Sequence, residues 1–414
     1  MGDLAWPDSV EIVGECNMTK RSLPTRIRTI MLIVLLIPML MLYSYWLVEA
    51  GRPYHSDFSH YWQASRMTYL GQSAYDSHAW EAVRNQYGIT SSGTEATFLY
   101  PLPMVVLLIP FGLLTVEHAY FLWALLGGLS IFVSMLILIS YYSQRTFVFE
   151  FLALGTVFLF RPTLYIIPGG QITAEFLLML VLAIHFFGKQ RWFLGGLAAS
   201  MIVLKPSLGI PFLGLLGIWL LFKKQWSGIM GIAVGGILLY GLGAIYDPLW
   251  PLNYLAIGRG AFDKYYGYQP TILGMAGLMF KTAWMKTLTG VLGICTVLAV
   301  TGYYVWKKEL HDNPFRIAAI LTAVTLLISP YAWNYELVLL IIPILYILIA
   351  VSSLYGDLKA ALFSLSILGF SVILFFVAIQ QGYDVWSLLV TGTVWGMTLS
   401  LPKPVDAVLP APDS

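Results

Sequence analysis

Residues 29–49 read TIMLIVLLIPMLMLYSYWLVE, and residues 55–76 read HSDFSHYWQASRMTYLGQSAYD. The first stretch carries no charge before Glu49. It has about the twenty residues that a helix needs to cross a bilayer. The second is polar and aromatic. Phe58, Tyr61, Trp62, Ser65 and Tyr69 recur at helical spacing behind Asp57, which predicts an amphipathic helix from Asp57 to Leu70, stopped by Gly71. A second helix is predicted from Asp76 to Tyr87, with Asp76 as its N-cap and Trp80, Val83 and Tyr87 on one face. A spanning helix followed by two helices lying in the membrane interface makes residues 50–98 a long exterior segment on a membrane scaffold.

Composition carries that scaffold through the rest of the chain. Of 414 residues, 58% are hydrophobic and 11% charged, where a soluble domain has about 25% charged. Further apolar runs fall at about 101–114, 117–142, 147–161, 171–187, 190–204, 207–222, 226–246, 286–306, 314–331, 334–353, 357–380 and 384–400. The expected fold is an all-α polytopic membrane protein with eleven to thirteen spanning helices, built as a single domain over 29–401. Residues 1–28 read as a cytoplasmic tail with no cleavable signal. Residues 402–414 read as a disordered cytoplasmic tail. A net charge of +2 points to no nucleic-acid partner. Cys16 and Cys295 are too differently placed to predict a disulfide or a metal site, and no cofactor is expected.

The basic clusters orient the chain. Lys20, Arg21, Arg26 and Arg28 precede the first span, and the cytoplasmic side takes such clusters. The same rule puts Lys189 and Arg191, Lys223 and Lys224, Lys307 and Lys308 with Arg316, Lys359 and Lys403 inside. The interval 247–285, Lys205 and residues 329–336 then fall outside, with Asp57. Between Asp57 and Lys189 the crossings must be odd in number, yet four apolar runs lie there. One of them, 101–114 or 147–161, is expected not to cross.

Phosphate-binding glycine loops and the Gly-x-Ser-x-Gly elbow are absent from the sequence. Polar residues gather instead at span ends on one face: Asp57, Tyr100, Gln171, Lys205 and the run 329–336. Several motifs there resemble glycosyltransferase family 87, the polyprenyl-phosphate-mannose-dependent mannosyltransferases of the GT-C membrane fold. They are Asp57-Phe58-x-x-Tyr61-x-x-Ala64 with Leu70-Gly71 and Tyr75-Asp76, Tyr100-Pro101-x-Pro103, Gly170-Gln171, Lys205-Pro206 and Ser329-Pro330-x-x-Trp333. They follow the family's order over roughly residues 29–345. The family's Tyr-Pro-Pro is here Tyr-Pro-Leu-Pro, and Asn334, Tyr335 and Glu336 stand where family members often carry His.

Taken alone, Asp57 is an ordinary helix cap, Lys205 a snorkelling interface lysine, and Trp333 an interface anchor. His55, His60 and His78 read as solvated loop residues. The resemblance implies a GT-C-like bundle and a different set of roles. Asp57 becomes the general base that deprotonates the acceptor hydroxyl in a single inverting displacement. Lys205, with Arg259 or Lys264, faces the donor phosphate. Tyr61, Tyr100, Gln171, Trp333 and Glu336 join the substrate site. The implied substrates are a polyprenyl-phosphate-linked hexose, expected to be mannose, and a glycan or glycolipid acceptor, met at the outer face of the plasma membrane with membrane lipid around the donor's tail. The competing class is a lipid or polysaccharide transporter, which wants polar residues and broken helices at mid-membrane. A non-catalytic membrane scaffold is a third.

Overall fold

The computed structural model describes residues 25–90, 98–264 and 268–402, with their side chains except those of residues 25, 26, 28, 29 and 258–264. The expected tails at 1–28 and 402–414 therefore lie almost wholly outside the described residues, as do Lys403 and residues 91–97 of the exterior segment. Among the described residues the fold is all-α, with no strand.

Helix α1 (Thr25–Glu49) opens the chain, and a layer of shorter helices follows: α2 (Arg52–His55), α3 (Phe58–Tyr69), α4 (Ser77–Gln86) and α5 (Leu102–Gly112). The bundle continues through α6 (Val116–Ile139), α7 (Phe147–Leu159), α8 (Arg161–Gly169), α9 (Thr173–Gly188), α10 (Trp192–Ser200), α11 (Pro206–Phe222) and α12 (Trp226–Ala244). Helices α13 (Trp250–Lys264) and α14 (Ile272–Met279) occupy the interval expected as a loop. The chain ends with α15 (Ala283–Lys307), α16 (Pro314–Ile328), α17 (Ile341–Tyr355), α18 (Asp357–Gln381) and α19 (Leu388–Ser400).

Among the described residues six helices are long and apolar enough to cross a membrane, or seven if α7 and α8, bent by 56° at Phe160, form one broken span. The protein is a multi-pass membrane protein. The expected eleven to thirteen spans exceed that number because α5, α9, α10 with its 3-10 extension, α11 and α16 have only 10–17 residues each. A helix of that length rises at most about 25 Å, short of a hydrocarbon core of about 30 Å. Burial divides the helices by position. The span through α17 is 89% buried, whereas those of α1 and α15 are 17% buried. A helix apolar on every side suits the centre of the bundle, and exposed Val34, Leu35 and Leu42 on α1 suit lipid. Polar side chains tie neighbouring helices: Thr156 to Ser364 at 2.6 Å, and the Trp395 indole N–H to Thr301 Oγ1 at 3.0 Å.

Two ends of the bundle are distinct. At one, Lys223 pairs with Asp312, the Trp219 indole donates to the His311 carbonyl at 3.1 Å, and Lys308 donates to the Leu399 carbonyl at 3.1 Å. These contacts bring together basic clusters that the charge pattern assigns to one side. At the other end lie Asp57, Gln171, Lys205 and Glu336. Helix α5 has both of its ends against α3: Tyr100, just before it, meets Tyr61 at 3.1 Å, and the Gly112 carbonyl after ten residues accepts from Arg66 at 3.1 Å. It therefore starts and finishes in one layer. That leaves α6, the α7–α8 pair and α9 between Asp57 and Lys189.

The helices of the polar interval start and end within a residue or two of expectation. Asp76 caps α4, accepting from the His78 and Ala79 backbone N–H groups at 2.9 and 3.2 Å. Two features of α3 differ. Tyr69 does not join the buried face and is 54% exposed. The helix is also not a surface helix with one apolar side, because Ser59, Gln63, Ala64, Met67 and Thr68 are buried together with Phe58, Tyr61 and Trp62. Helices α4, α5 and α6 enclose it. The buried polar residues are accommodated by local hydrogen bonds, such as Gln63 Nε2 to the Trp80 carbonyl at 2.6 Å and Ser65 Oγ to the Tyr61 carbonyl at 2.7 Å.

Candidate active site

Asp57 stands at the N-cap position of α3, but its side chain caps nothing. Its backbone is helical there, and its N–H donates to the Gly169 carbonyl at 3.1 Å. This turns the carboxylate toward the turn after α8, where the Gln171 side-chain amide donates to Oδ2. Oδ1 accepts no hydrogen bond among the described residues. The turn that delivers Gln171 is fixed from two sides. Gly170 takes a left-handed φ of 65°, and a Cβ there would come within 2.6 Å of the Phe58 Cβ. From α6, the Trp123 indole donates to the Gly170 carbonyl at 2.9 Å and the Tyr120 hydroxyl to the Pro168 carbonyl at 3.0 Å. Glycine is needed at 170 both for the turn and for the close approach of α3.

Gln171 Oε1 accepts from the Tyr61 hydroxyl at 3.2 Å, which also lies 3.1 Å from the Tyr100 hydroxyl. Tyr100 is held by Tyr75, whose hydroxyl donates to the Tyr100 carbonyl at 2.8 Å. Lys205, in the break between α10 and α11, sends its ammonium into the same region. It pairs with Glu336 and lies 4.8 Å from the Tyr335 ring centroid and 5.8 Å from that of Tyr100. Glu336 is fully buried and also accepts from the Trp333 backbone N–H, closing the turn that begins α17. The Trp333 indole donates to the Tyr331 hydroxyl at 2.7 Å.

Asp57, Tyr61, Tyr100, Gln171, Lys205, Trp333 and Glu336 thus converge at one end of the bundle. Arg259 and Lys264 belong to the backbone of α13, but their side chains lie outside the described residues. Burial raises Asp57 above the usual carboxylate range, against the nearby Lys205 charge and the Gln171 hydrogen bond. Burial lowers Lys205 to about 7, against the pull of Asp57. Lys205 is not a snorkelling lysine, since it is 4% exposed. His60 is not a solvated loop residue either. Its ring lies 6.0 Å from Trp80, and burial lowers it to about 4. His55 and His78 are exposed, as expected. Among the described residues no three His, Cys, Asp or Glu side chains group as a metal site would.

A half-buried carboxylate with one oxygen available, beside an amide and a lysine, can take a proton from a hydroxyl and hold the charge that results. Residues 98–330 match the model of glycosyltransferase family 87. The chain belongs to glycosyltransferase family 87. No curated protein and no solved structure matches it. The protein is a membrane glycosyltransferase, acting on a sugar donor and an acceptor, and the transporter and scaffold alternatives fall away. The family match is narrower than the expected 29–345. It includes Tyr100, Gln171 and Lys205 and leaves out Asp57 and Glu336, which this glycosyltransferase joins to the matched part by direct contacts to Gln171 and Lys205.

Sequence reasoning missed a polar group beside this one. Asp384 Oδ1 accepts from Asn334 Nδ2 at 2.7 Å and lies 3.7 Å from Arg161. Asn334 precedes Tyr335 in the same turn, and Tyr335 stacks on Tyr165 at 6.5 Å with planes 11° apart. The available signal was the position of Arg161 and Asp384 at the boundaries of apolar runs, where a charge is costly without a partner.

Proposed function

We propose that this glycosyltransferase moves a hexose, mannose in the first instance, from a polyprenyl-phosphate donor to a glycan or glycolipid acceptor. The observation that carries the proposal is the Asp57 carboxylate, released from capping α3 and held by Gln171 with Oδ1 available. Asp57 accepts the acceptor hydroxyl proton as the oxygen attacks the anomeric carbon. The bond to the donor phosphate breaks as the new glycosidic bond forms, so a single displacement inverts the anomeric centre. Gln171, Tyr61, Tyr100 and Trp333 line the sugar. Glu336 holds Lys205 beside Asp57, and the ammonium's remaining N–H groups face the departing phosphate, assisted by Arg259 or Lys264. The chemistry occurs at the outer face of the plasma membrane, with both termini in the cytoplasm and the donor's lipid tail between helices. Support comes from the basic clusters, which gather at the opposite end of the bundle from Asp57.

The test is transfer from a radiolabelled polyprenyl-phosphate mannose in membranes holding wild type or Asp57→Asn. Loss of the base should reduce transfer by about 10²–10⁴-fold at unchanged protein level. Full activity of the variant would remove Asp57 from the mechanism. Wild-type activity with a nucleotide sugar in place of the lipid donor would overturn the donor assignment.

A further inference from the structure

The site described above accounts for Asp57 and the Lys205–Glu336 pair but leaves the neighbouring Arg161–Asp384–Asn334 group without a role. The geometry points to this group, with the Tyr165–Tyr335 plates, as a subsite that holds a neutral saccharide ring of the acceptor. The assignment of that ring to the acceptor rests on the glycosyl-transfer reading.

Arg161 opens α8. Its guanidinium carbon sits over the Phe375 ring at 3.8 Å from the centroid, and the group stands 3.7 Å from Asp384. Among the described residues it donates no hydrogen bond, so its planar fork of donors is unspent. Its side chain is 16% exposed and that of Asp384 is 22% exposed, so neither is sealed from a ligand. Both contacts of Asp384 fall on Oδ1, which leaves Oδ2 able to accept. Asn334 orients Asp384 and is itself within 3.4 Å of the Ser387 hydroxyl.

One turn along α8 from Arg161, Tyr165 is 53% exposed and stacks on Tyr335. The Lys205 ammonium lies 4.8 Å from the Tyr335 ring centroid. The Asp57, Arg161 and Asp384 charges all act on Tyr165, so that ring lies within electrostatic reach of both the Asp57 carboxylate and the Arg161–Asp384 pair.

Charge decides the ligand class. Arg161 and Asp384 together carry no net charge, so the pair offers little to the donor phosphate, which calls for net positive charge. A carboxylate oxygen beside a guanidinium matches the adjacent hydroxyls of a sugar, one donating to Oδ2 and others accepting from the fork. The exposed Tyr165 ring, backed by Tyr335, covers a ring's apolar face. A saccharide seated there places a neighbouring hydroxyl toward Asp57, so the group positions the acceptor and takes no part in proton transfer.

The experiment uses the full-length protein in lipid nanodiscs. Ligand-observed saturation-transfer NMR is run with the methyl α-glycosides of mannose, glucose and galactose, and with inorganic phosphate as competitor. Wild type should bind at least one glycoside, and phosphate should not compete. Asp384→Asn, which keeps an acceptor for Asn334, and Arg161→Met should each raise the glycoside Kd by about ten-fold or more. In transfer assays Asp384→Asn and Arg161→Lys should raise the acceptor KM while the donor KM stays fixed. Unchanged glycoside binding in Asp384→Asn, a raised donor KM, competition by phosphate, or no wild-type binding to any glycoside overturns the subsite. Retained transfer in Asp57→Asn with glycoside binding intact overturns the base assignment and leaves the subsite standing.

Discussion

Asp57 and Lys205 are moved in opposite directions by one cause, the removal of water. The carboxylate is raised and the ammonium is lowered to about 7, so their working forms overlap over a limited pH range. Transfer needs Asp57 ionised and Lys205 protonated. The rate should therefore fall on the acid side, above the usual carboxylate range, as Asp57 takes up its proton. It should fall again on the alkaline side near pH 7 as Lys205 loses its proton. Lys205→Arg cannot deprotonate, so its kcat/KM profile should lose the alkaline limb while keeping the acid one. An alkaline limb that persists in the variant would assign it to another group. A second residue sets the geometry of the pair. Gly170→Ala adds a methyl 2.6 Å from the Phe58 Cβ at a left-handed φ, which must push α3 and Asp57 away from Gln171. A shift of about 1 Å can cost on the order of 10²-fold in rate. The expected outcome is a loss of transfer of that order, measured beside a thermal midpoint that falls by less than the loss of activity would suggest.

Helices were legible in the sequence to the extent that one rule governed them. Apolar runs located the spanning helices, and Asp76 located the start of α4, because length and capping are local properties. Helices α13 and α14 were missed because residues 247–285 hold no apolar run long enough to read as a span, and charge parity gave only the side they face. Tyr69 was misplaced because helical spacing fixes the spokes of a helix but not how many sides are covered, and α3 is covered almost all round. The site was legible where polar motifs sit at span ends, as for Gln171 and Lys205. Their partners depend on contacts between residues more than a hundred positions apart, as in Lys205 with Glu336, and local spacing carries no information on those. The contact of α10 with α12 shows how tertiary packing selects residues that propensity disfavours. A Cβ on Gly231 would come 2.1 Å from the Phe193 carbonyl oxygen, and one on Gly196 would come 2.0 Å from that of Gly228. On the same α12, a Cβ on Gly236 meets nothing within 4 Å. Gly231→Leu should therefore prevent a stable fold, seen as loss of the monodisperse peak in detergent. Gly236→Ala should keep or raise the thermal midpoint, since alanine favours a helix by up to about 1 kcal/mol over glycine. Equal behaviour of the two variants would mean that α10 and α12 do not approach so closely.

At the scale of the whole molecule, the question is how many times the chain passes from one end of the bundle to the other. The charge pattern demanded an odd number of passes between Asp57 and Lys189 but left two runs, 101–114 and 147–161, as the one that fails to cross. The broken pair α7–α8 runs from Thr146, which bonds Asp357 at 2.7 Å near the basic end, to Gly169, which holds Asp57. It therefore goes the full distance despite its bend. Helix α5 returns to the layer it left, and its eleven residues rise only about 16 Å. Two exposed positions bracket it, Ser73 before and Thr115 after. In a background with Cys16 and Cys295 replaced, cysteines at Ser73 and Thr115 should react with an impermeant maleimide from the same side of sealed vesicles. A cysteine at the exposed Lys224, at the end of α11, should react from the opposite side. If Ser73→Cys and Thr115→Cys label from opposite sides, α5 crosses. In that case Asp57 and Gln171 could stay on one face only if the α7–α8 pair turned back instead, and the contact of Thr146 with Asp357 could not form.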